Sequence, residues 1–195
     1  MKHRAVFLLS ALLLSGCKTI PSPVTVSDTH DKHAMLKQDL VWEIGNSGRT
    51  IVVPAGFVTD YASVPPVLRS LVGTRGKYSR AAVVHDYLYW SQVCSRAQSD
   101  NLMMIGMKES NASKLKAWAI HSGVSYGGGY AWKENADNRE AGYLRVIPMS
   151  SWDGFDDYYW PQYQKALRDN DVSERGYVRD NSFCYLGNST EVPLR

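Results

Sequence analysis

The sequence runs to 195 residues, with 22 Lys and Arg against 19 Asp and Glu and a formal net charge of +3. That length suits one domain around a single core, and so small a charge imbalance gives no support for nucleic-acid binding. Neither a serine-hydrolase nucleophile elbow nor a phosphate-binding loop is read from it.

The chain opens on Lys2, His3 and Arg4. An apolar stretch broken only by Ser10 then runs to Leu14, followed by the small residues Ser15 and Gly16. This is the layout of a secretory signal over residues 1–16, too short to cross a bilayer core of roughly 30 Å as a helix. Leu14-Ser15-Gly16-Cys17 resembles the lipobox of bacterial lipoproteins, which implies cleavage before Cys17 and acylation of that residue. Each buried methylene contributes about 0.8 kcal/mol, so several acyl chains hold such a protein on a membrane almost permanently. Lys18 rather than Asp follows the cysteine, and this implies an outer-membrane anchor facing the periplasm. Loss of Lys2 and Arg4 with the signal leaves 20 basic against 19 acidic residues, a charge of +1. Acyl chains, not charge, are therefore expected to hold the mature protein on the membrane.

Residues 17–33 read as the lipidated N-terminus and a flexible polar tether containing Pro21, Ser22, Pro23 and Ser27. Residues 36–44 and 50–53 read as strands flanking Gly45-Asn46-Ser47-Gly48, a hairpin connection. Residues 57–66 form a structured loop closed by Pro65-Pro66. Tyr78, Ala81, Ala82, His85, Leu88 and Tyr89 then share one face of a helix ending near Val93. A second helix spans about 95–109. A third starts near Asn111, and Gly123 with Gly127, Gly128 and Gly129 leaves its extent open, because glycine is costly in a helix.

A short helix around 161–169 lies in a segment rich in Trp, Tyr and Asp. Its aromatics read as a cap on a core in preference to a carbohydrate or headgroup surface. The expected fold is α+β: a core over 34–135 in which an N-terminal β-hairpin packs on a small helical core around the His85 helix. Residues 136–195 form an aromatic-rich extension packed on that core. With Cys17 acylated, Cys94 and Cys184 remain, and they either pair or sit as two separate buried thiols. They lack the spacing of a zinc site.

The chemistry-bearing stretch is Gly56-Phe57-Val58-Thr59-Asp60-Tyr61-Ala62-Ser63-Val64-Pro65, then Val84-His85-Asp86-Tyr87-Leu88-Tyr89, then Arg96 and Asp100. A histidine beside carboxylates can act as a general base, so His85 suits that role, provided an acceptor orients its other nitrogen. Asp100 on the next helix is placed to do this. Tyr89, one turn after His85, lies on the same face and can reach Asp100. Asp86 points about 100° away around the helix, so it suits a cation shared with Asp60 and loop carbonyls. His121 reads as a packed or partly exposed side chain, and His30 and His33 as incidental residues of the tether.

The ordered set Gly-Phe-x-Thr-Asp-x-Ala-Ser-x-Pro, His-Asp-x-Leu-Tyr and Arg-x-x-x-Asp resembles an uncharacterised domain family of phages, prophages and bacteria, domain of unknown function 1353. The resemblance covers roughly 36–132 and implies no activity. More distantly, His85-Asp86-x-x-Tyr89 is similar to the His-Asp-x-x-Tyr helix of secreted phospholipases A2, whose bacterial branch has an upstream Ser-Asp-Gly-Cys-Ser loop.

That second resemblance implies that His85 activates water and Asp100 orients it. It also implies that Asp60, the Tyr61 carbonyl and Asp86 hold Ca²⁺, which stabilises the oxyanion. Two positions depart from the pattern. Tyr61 stands where those enzymes have glycine, and Ala62 and Ala82 stand where a disulfide ties loop to helix. Two functions follow as expectations. One is a membrane-tethered ester hydrolase of phospholipase A2 type with phospholipid as substrate; the other is a non-enzymatic lipoprotein that binds or blocks an envelope or phage component.

Overall fold

Two small antiparallel sheets packed on a helical layer make an α+β fold in the computed structural model, which describes residues 26–31, 33–61 and 78–194. Strands β3 (Leu40–Glu43) and β4 (Thr50–Val53) form the hairpin. Leu40, Trp42, Ile51 and Val53 are buried, whereas Val41 and Val52 are about half exposed. That period of two sets one face on the core and one toward water. The register pairs Leu40 with Val53 and Trp42 with Ile51, so the inward side chains oppose one another.

Glu109, at the far end of the second helix, fastens the hairpin to the helices. Its carboxylate accepts from the Trp42 indole at 2.7 Å and from the Gly45 backbone N–H at 2.6 Å.

The other sheet runs in the order β1 (Val26–Asp28), β2 (Ala34–Leu36), β5 (Val58–Thr59). Two expectations change here. The stretch 36–44 is not one strand, because the chain turns between Leu36 and Leu40, where the Asp39 carboxylate accepts the Ala55 N–H at 2.7 Å. The ordered body also reaches back into the expected tether. Val26, Ser27 and Asp28 pair with Leu36, Met35 and Ala34. An edge strand gains backbone hydrogen bonds whatever its side chains, so a polar sequence does not reveal it.

Helix α1 (Ser79–Ser91) is buried from Ala81 to Ser91 on all sides, so its amphipathic face is only one of its packed faces. Helix α2 (Arg96–Glu109) starts on a capping box between Ser95 and Gln98. Helix α3 (Lys114–Glu140), capped by Ser113, continues through all four glycines. Helix α4 (Trp160–Asp169) carries Trp160, Tyr163 and Leu167 into a second core with Met35, Val58 and Phe155. Phe155, Trp160 and Tyr163 therefore cap a core, whereas Tyr158 and Tyr159 are about half exposed. No helix among the described residues is long and apolar enough to cross a membrane.

Candidate functional site

Residues one turn apart on α1 face the start of α2. His85 Nε2 lies 2.8 Å from Asp100 Oδ1, and the Tyr89 hydroxyl donates to the same oxygen at 2.7 Å. Arg96, one turn before Asp100, reaches its other oxygen at 3.3 Å and also donates to the Ser125 carbonyl at 2.9 Å. His85, Tyr89 and Asp100 are all buried. Burial and the Asp100 hydrogen bond push the Tyr89 phenol up, so it stays a protonated donor.

The carboxylate accepts from Nε2–H, and this places the imidazole lone pair on Nδ1. That atom is buried and has no hydrogen-bond partner among the described residues. The dyad is thus sealed, yet one nitrogen is left unspent.

One glycine of α3, Gly128, finds its reason in this network. Gly128 sits against Tyr89, and a Cβ there would overlap the phenol oxygen, whereas at Gly129 nothing lies within 4 Å. Gly128→Ala is therefore expected to displace the hydroxyl and destabilise by about 1–3 kcal/mol. Gly129→Ala is expected to stabilise by up to about 1 kcal/mol through helix propensity alone. Urea unfolding of the pair checks this; effects of the same sign at both sites would refute it.

On the neighbouring side of α1, Thr59 Oγ1 donates to Asp86 Oδ2 at 2.6 Å and accepts the Tyr61 N–H at 3.1 Å. This hydrogen-bonded strap ties Thr59, at the start of the loop, to the helix. Asp86 is fully buried. Burial, then the neighbouring Asp60 charge, push its carboxyl well up, while Arg145 and the Thr59 hydrogen bond oppose the rise. Asp60 lies 3.6 Å from the Arg145 guanidinium.

A folded pKa raised above the unfolded value of about 3.9 penalises the fold increasingly as pH rises from there through the folded value. Asp86→Asn keeps an acceptor for Thr59 and removes that penalty. It is expected to raise Tm at pH 7–8 and to leave it nearly unchanged near pH 3, where Asp86 is protonated folded and unfolded. Thermal scans across pH test this, and destabilisation at neutral pH would show an ionised, well-paired Asp86.

The calcium ion implied by the phospholipase resemblance meets mixed ground. Tyr61 has φ +52°, the left-handed backbone that glycine favours, so the missing glycine does not bar the loop conformation. Asp86 Oδ1 is buried without a hydrogen-bond partner among the described residues. However, Asp60 already faces Arg145, and no group of three or more His, Cys, Asp or Glu suited to a metal occurs among the described residues. The donor set of Asp60, Tyr61 and Asp86 does not fit a calcium ion beside that guanidinium.

Sequence reasoning assigned no role to Thr59, Arg96, Gly128 or Arg145. The first two sat inside the motif, and Arg96 one turn before Asp100 was a readable signal. Arg145 arrives from the C-terminal extension, where its carbonyl accepts the Val58 N–H at 2.8 Å, with nothing local to announce it. Gly123-Val124-Ser125-Tyr126-Gly127 does carry the spacing of a serine-hydrolase elbow, but it lies inside α3 and not at a strand-to-helix turn.

His121 hydrogen-bonds Asn101 at 2.9 Å, and His33 faces Asp31 at 3.1 Å. Cys94 and Cys184 are joined as a disulfide. Cys17, Ala62, Ser63, Pro65 and Pro66 lie outside the described residues.

Residues 34–124 match the model of a family described as a protein of unknown function, DUF1353. The matched span holds Thr59, His85, Asp86, Tyr89, Arg96 and Asp100, and it ends before Gly128 and Arg145. No curated protein and no solved structure matches the chain.

Proposed function

We propose that this chain, whose matched domain has no assigned activity, is a lipid-anchored envelope hydrolase that cleaves an ester, with phospholipid as the substrate class. The observation that carries the reading is the unspent Nδ1 of His85 beside a fully engaged Nε2. A buried polar atom without a partner costs about 1–3 kcal/mol, and a catalytic role is one of the reasons such an atom is kept.

In the proposed reaction His85 Nδ1 takes a proton from water as the oxygen adds to the ester carbonyl carbon. The imidazolium so formed is stabilised by Asp100, which Tyr89 and Arg96 hold in place. Collapse of the tetrahedral intermediate breaks the bond to the alkoxide, which leaves with the proton from Nδ1. Tyr89 and Arg96 act as positioning residues.

The envelope setting rests on the Cys17 lipobox, and Lys18 after it supports an outer-membrane location facing the periplasm. The Cys94–Cys184 disulfide supports an oxidising compartment. A phage or prophage origin is part of the same proposal and rests on the motif set.

The test assays the purified full-length chain on phospholipid vesicles and on a monodisperse short-chain ester, with and without EDTA, beside His85→Gln. Expected are fatty-acid release, a fall of about 10²–10⁴-fold in the variant, and no effect of EDTA. Equal release by both proteins, or none by either, overturns the hydrolase. Calcium dependence would overturn the metal-free form of it.

One observation favours a second reading. His85 is 0% exposed, as suits a network that only holds the fold of a non-enzymatic lipoprotein binding or blocking an envelope or phage component.

A further inference from the structure

Helix α3 has two unlike faces. Ala117, Ile120, Val124 and Gly128 are buried and lie against the rest of the fold, including Tyr89 of the His85 network. The opposite face carries Leu115, Trp118, Tyr126 and Tyr130, which are 75%, 63%, 93% and 78% exposed. At about 100° per residue these four fall within an arc of about 120°, and they extend for about 22 Å along the axis. Single exposed apolar residues are ordinary, but a row of one Trp, two Tyr and a Leu on one helix face is not. Trp and Tyr are amphipathic, with an apolar ring and a polar tip, and they suit the boundary between hydrocarbon and water.

The charges around this row have one sign at one end. Lys114 and Lys116 are exposed in the first turn of α3, which holds no acidic residue. Cations are disfavoured there by the helix dipole, and a nearby anionic surface would offset that repulsion. Beside them, Met104, Ala112, Ala117 and Trp118 line a groove whose rim carries Lys108 and Lys114. Glu191 also borders the groove, paired with Lys108 at 3.2 Å. At the other end Lys133 is neutralised by Asp137 at 2.6 Å. The row therefore presents an apolar centre with a cationic end, complementary to acyl chains under anionic headgroups.

We propose that the outer face of α3 lies on the headgroup region of an anionic phospholipid bilayer. Trp118, Tyr126, Tyr130 and Leu115 enter the interface, and Lys114 and Lys116 sit on phosphates. The proposal rests on the lipid-anchored part of the reading above and is independent of the hydrolase part.

The experiment reconstitutes the full chain in phosphatidylcholine–phosphatidylglycerol vesicles whose acyl chains carry bromine, a short-range quencher of tryptophan. Trp42, Trp90 and Trp160 are buried and Trp132 and Trp152 are partly buried, so Trp118, the most exposed of the six, is expected to supply most of the quenching. Trp118→Phe should remove more than half of it. Leu115→Ser with Tyr126→Ser and Tyr130→Ser should reduce what Trp118 gives, as should phosphatidylcholine alone.

Flotation with unchanged quenching in Trp118→Phe overturns this orientation and leaves the anchor standing. Failure to float overturns both. Concentration-dependent dimers lost on Tyr126→Ser and Tyr130→Ser in lipid-free detergent would assign the face to a second copy, which also overturns it. Because the readout is fluorescence, a chain without hydrolase activity still answers the question.

Discussion

Asp100→Ala is expected to lower stability by about 3–5 kcal/mol, the range typical of breaking a buried ionic pair by removing one partner. Three donors lose their acceptor together: His85 Nε2, the Tyr89 hydroxyl and Arg96. They do not suffer equally. Arg96 is about one-third exposed and keeps the Ser125 carbonyl, so water and backbone absorb much of its loss. His85 and Tyr89 are sealed, and each is left with a buried donor that costs about 1–3 kcal/mol.

Tyr89→Phe supplies the contrast, because it removes one donor and leaves Asp100 still engaged by two others. It should cost about 1 kcal/mol. Urea midpoints at constant slope measure both. Should Asp100→Ala not fold, Asp100→Asn keeps an acceptor for Tyr89 and His85 and is expected to fall between the two variants. A loss below about 1 kcal/mol for Asp100→Ala would mean that solvent reaches the network in solution.

The parts of this network differ in how far the sequence discloses them. His85 and Tyr89 are four apart on one helix, and Asp100 lies one turn into the next, whose start is announced by Ser95 and Gln98. Local periodicity and a capping signal therefore suffice to put the three together. The hairpin was legible for the same kind of reason, since Gly45 and Gly48 take the positive φ its turn requires. What escaped was set by contacts distant in sequence.

Glycine in α3 reads as a helix breaker on backbone entropy, but the packing of Tyr89 demands it at Gly128. Arg145 reaches Asp60 from 85 residues downstream because the 145–146 backbone pairs with β5 and Phe57. Burial of α1 on every side was hidden because periodicity marks one face. Val83, Val84, Tyr87 and Trp90 on its other faces are covered by β4, β5 and the C-terminal extension. The strap from Thr59 to Asp86 lay inside the motif, yet its role depends on the depth at which Asp86 is buried, which no spacing reveals.

Removing the disulfide has the other large expected effect. Cys94 follows α1, and Cys184 opens the 3-10 turn Cys184–Asn188, 90 residues on. Releasing a loop of that length from the unfolded chain costs about 4–5 kcal/mol by chain entropy, with native strain and residual structure reducing the realised figure. The native state has reason to survive the loss. From Cys184 onward the chain is sewn along α2, with Asn101 donating to the Gly187 carbonyl at 2.8 Å and Lys108 to the Thr190 carbonyl at 2.6 Å. Gly187 packs so close to the Gln98 backbone that a Cβ there would collide with it.

The folded contacts of Cys94→Ala with Cys184→Ala should therefore be native-like while its urea midpoint falls sharply. Reductant should move the midpoint of the unmodified chain toward that of the variant and leave the variant unmoved. Amide exchange should rise first at 184–191, because those residues are then held to α2 by hydrogen bonds from its side chains. α2 also carries Asp100 and Arg96, so loosening of this strap removes the cover from the outer side of the helix that orients His85. A reductant shift below about 1 kcal/mol would place the stabilisation in the strap itself, and the disulfide would then be incidental to it.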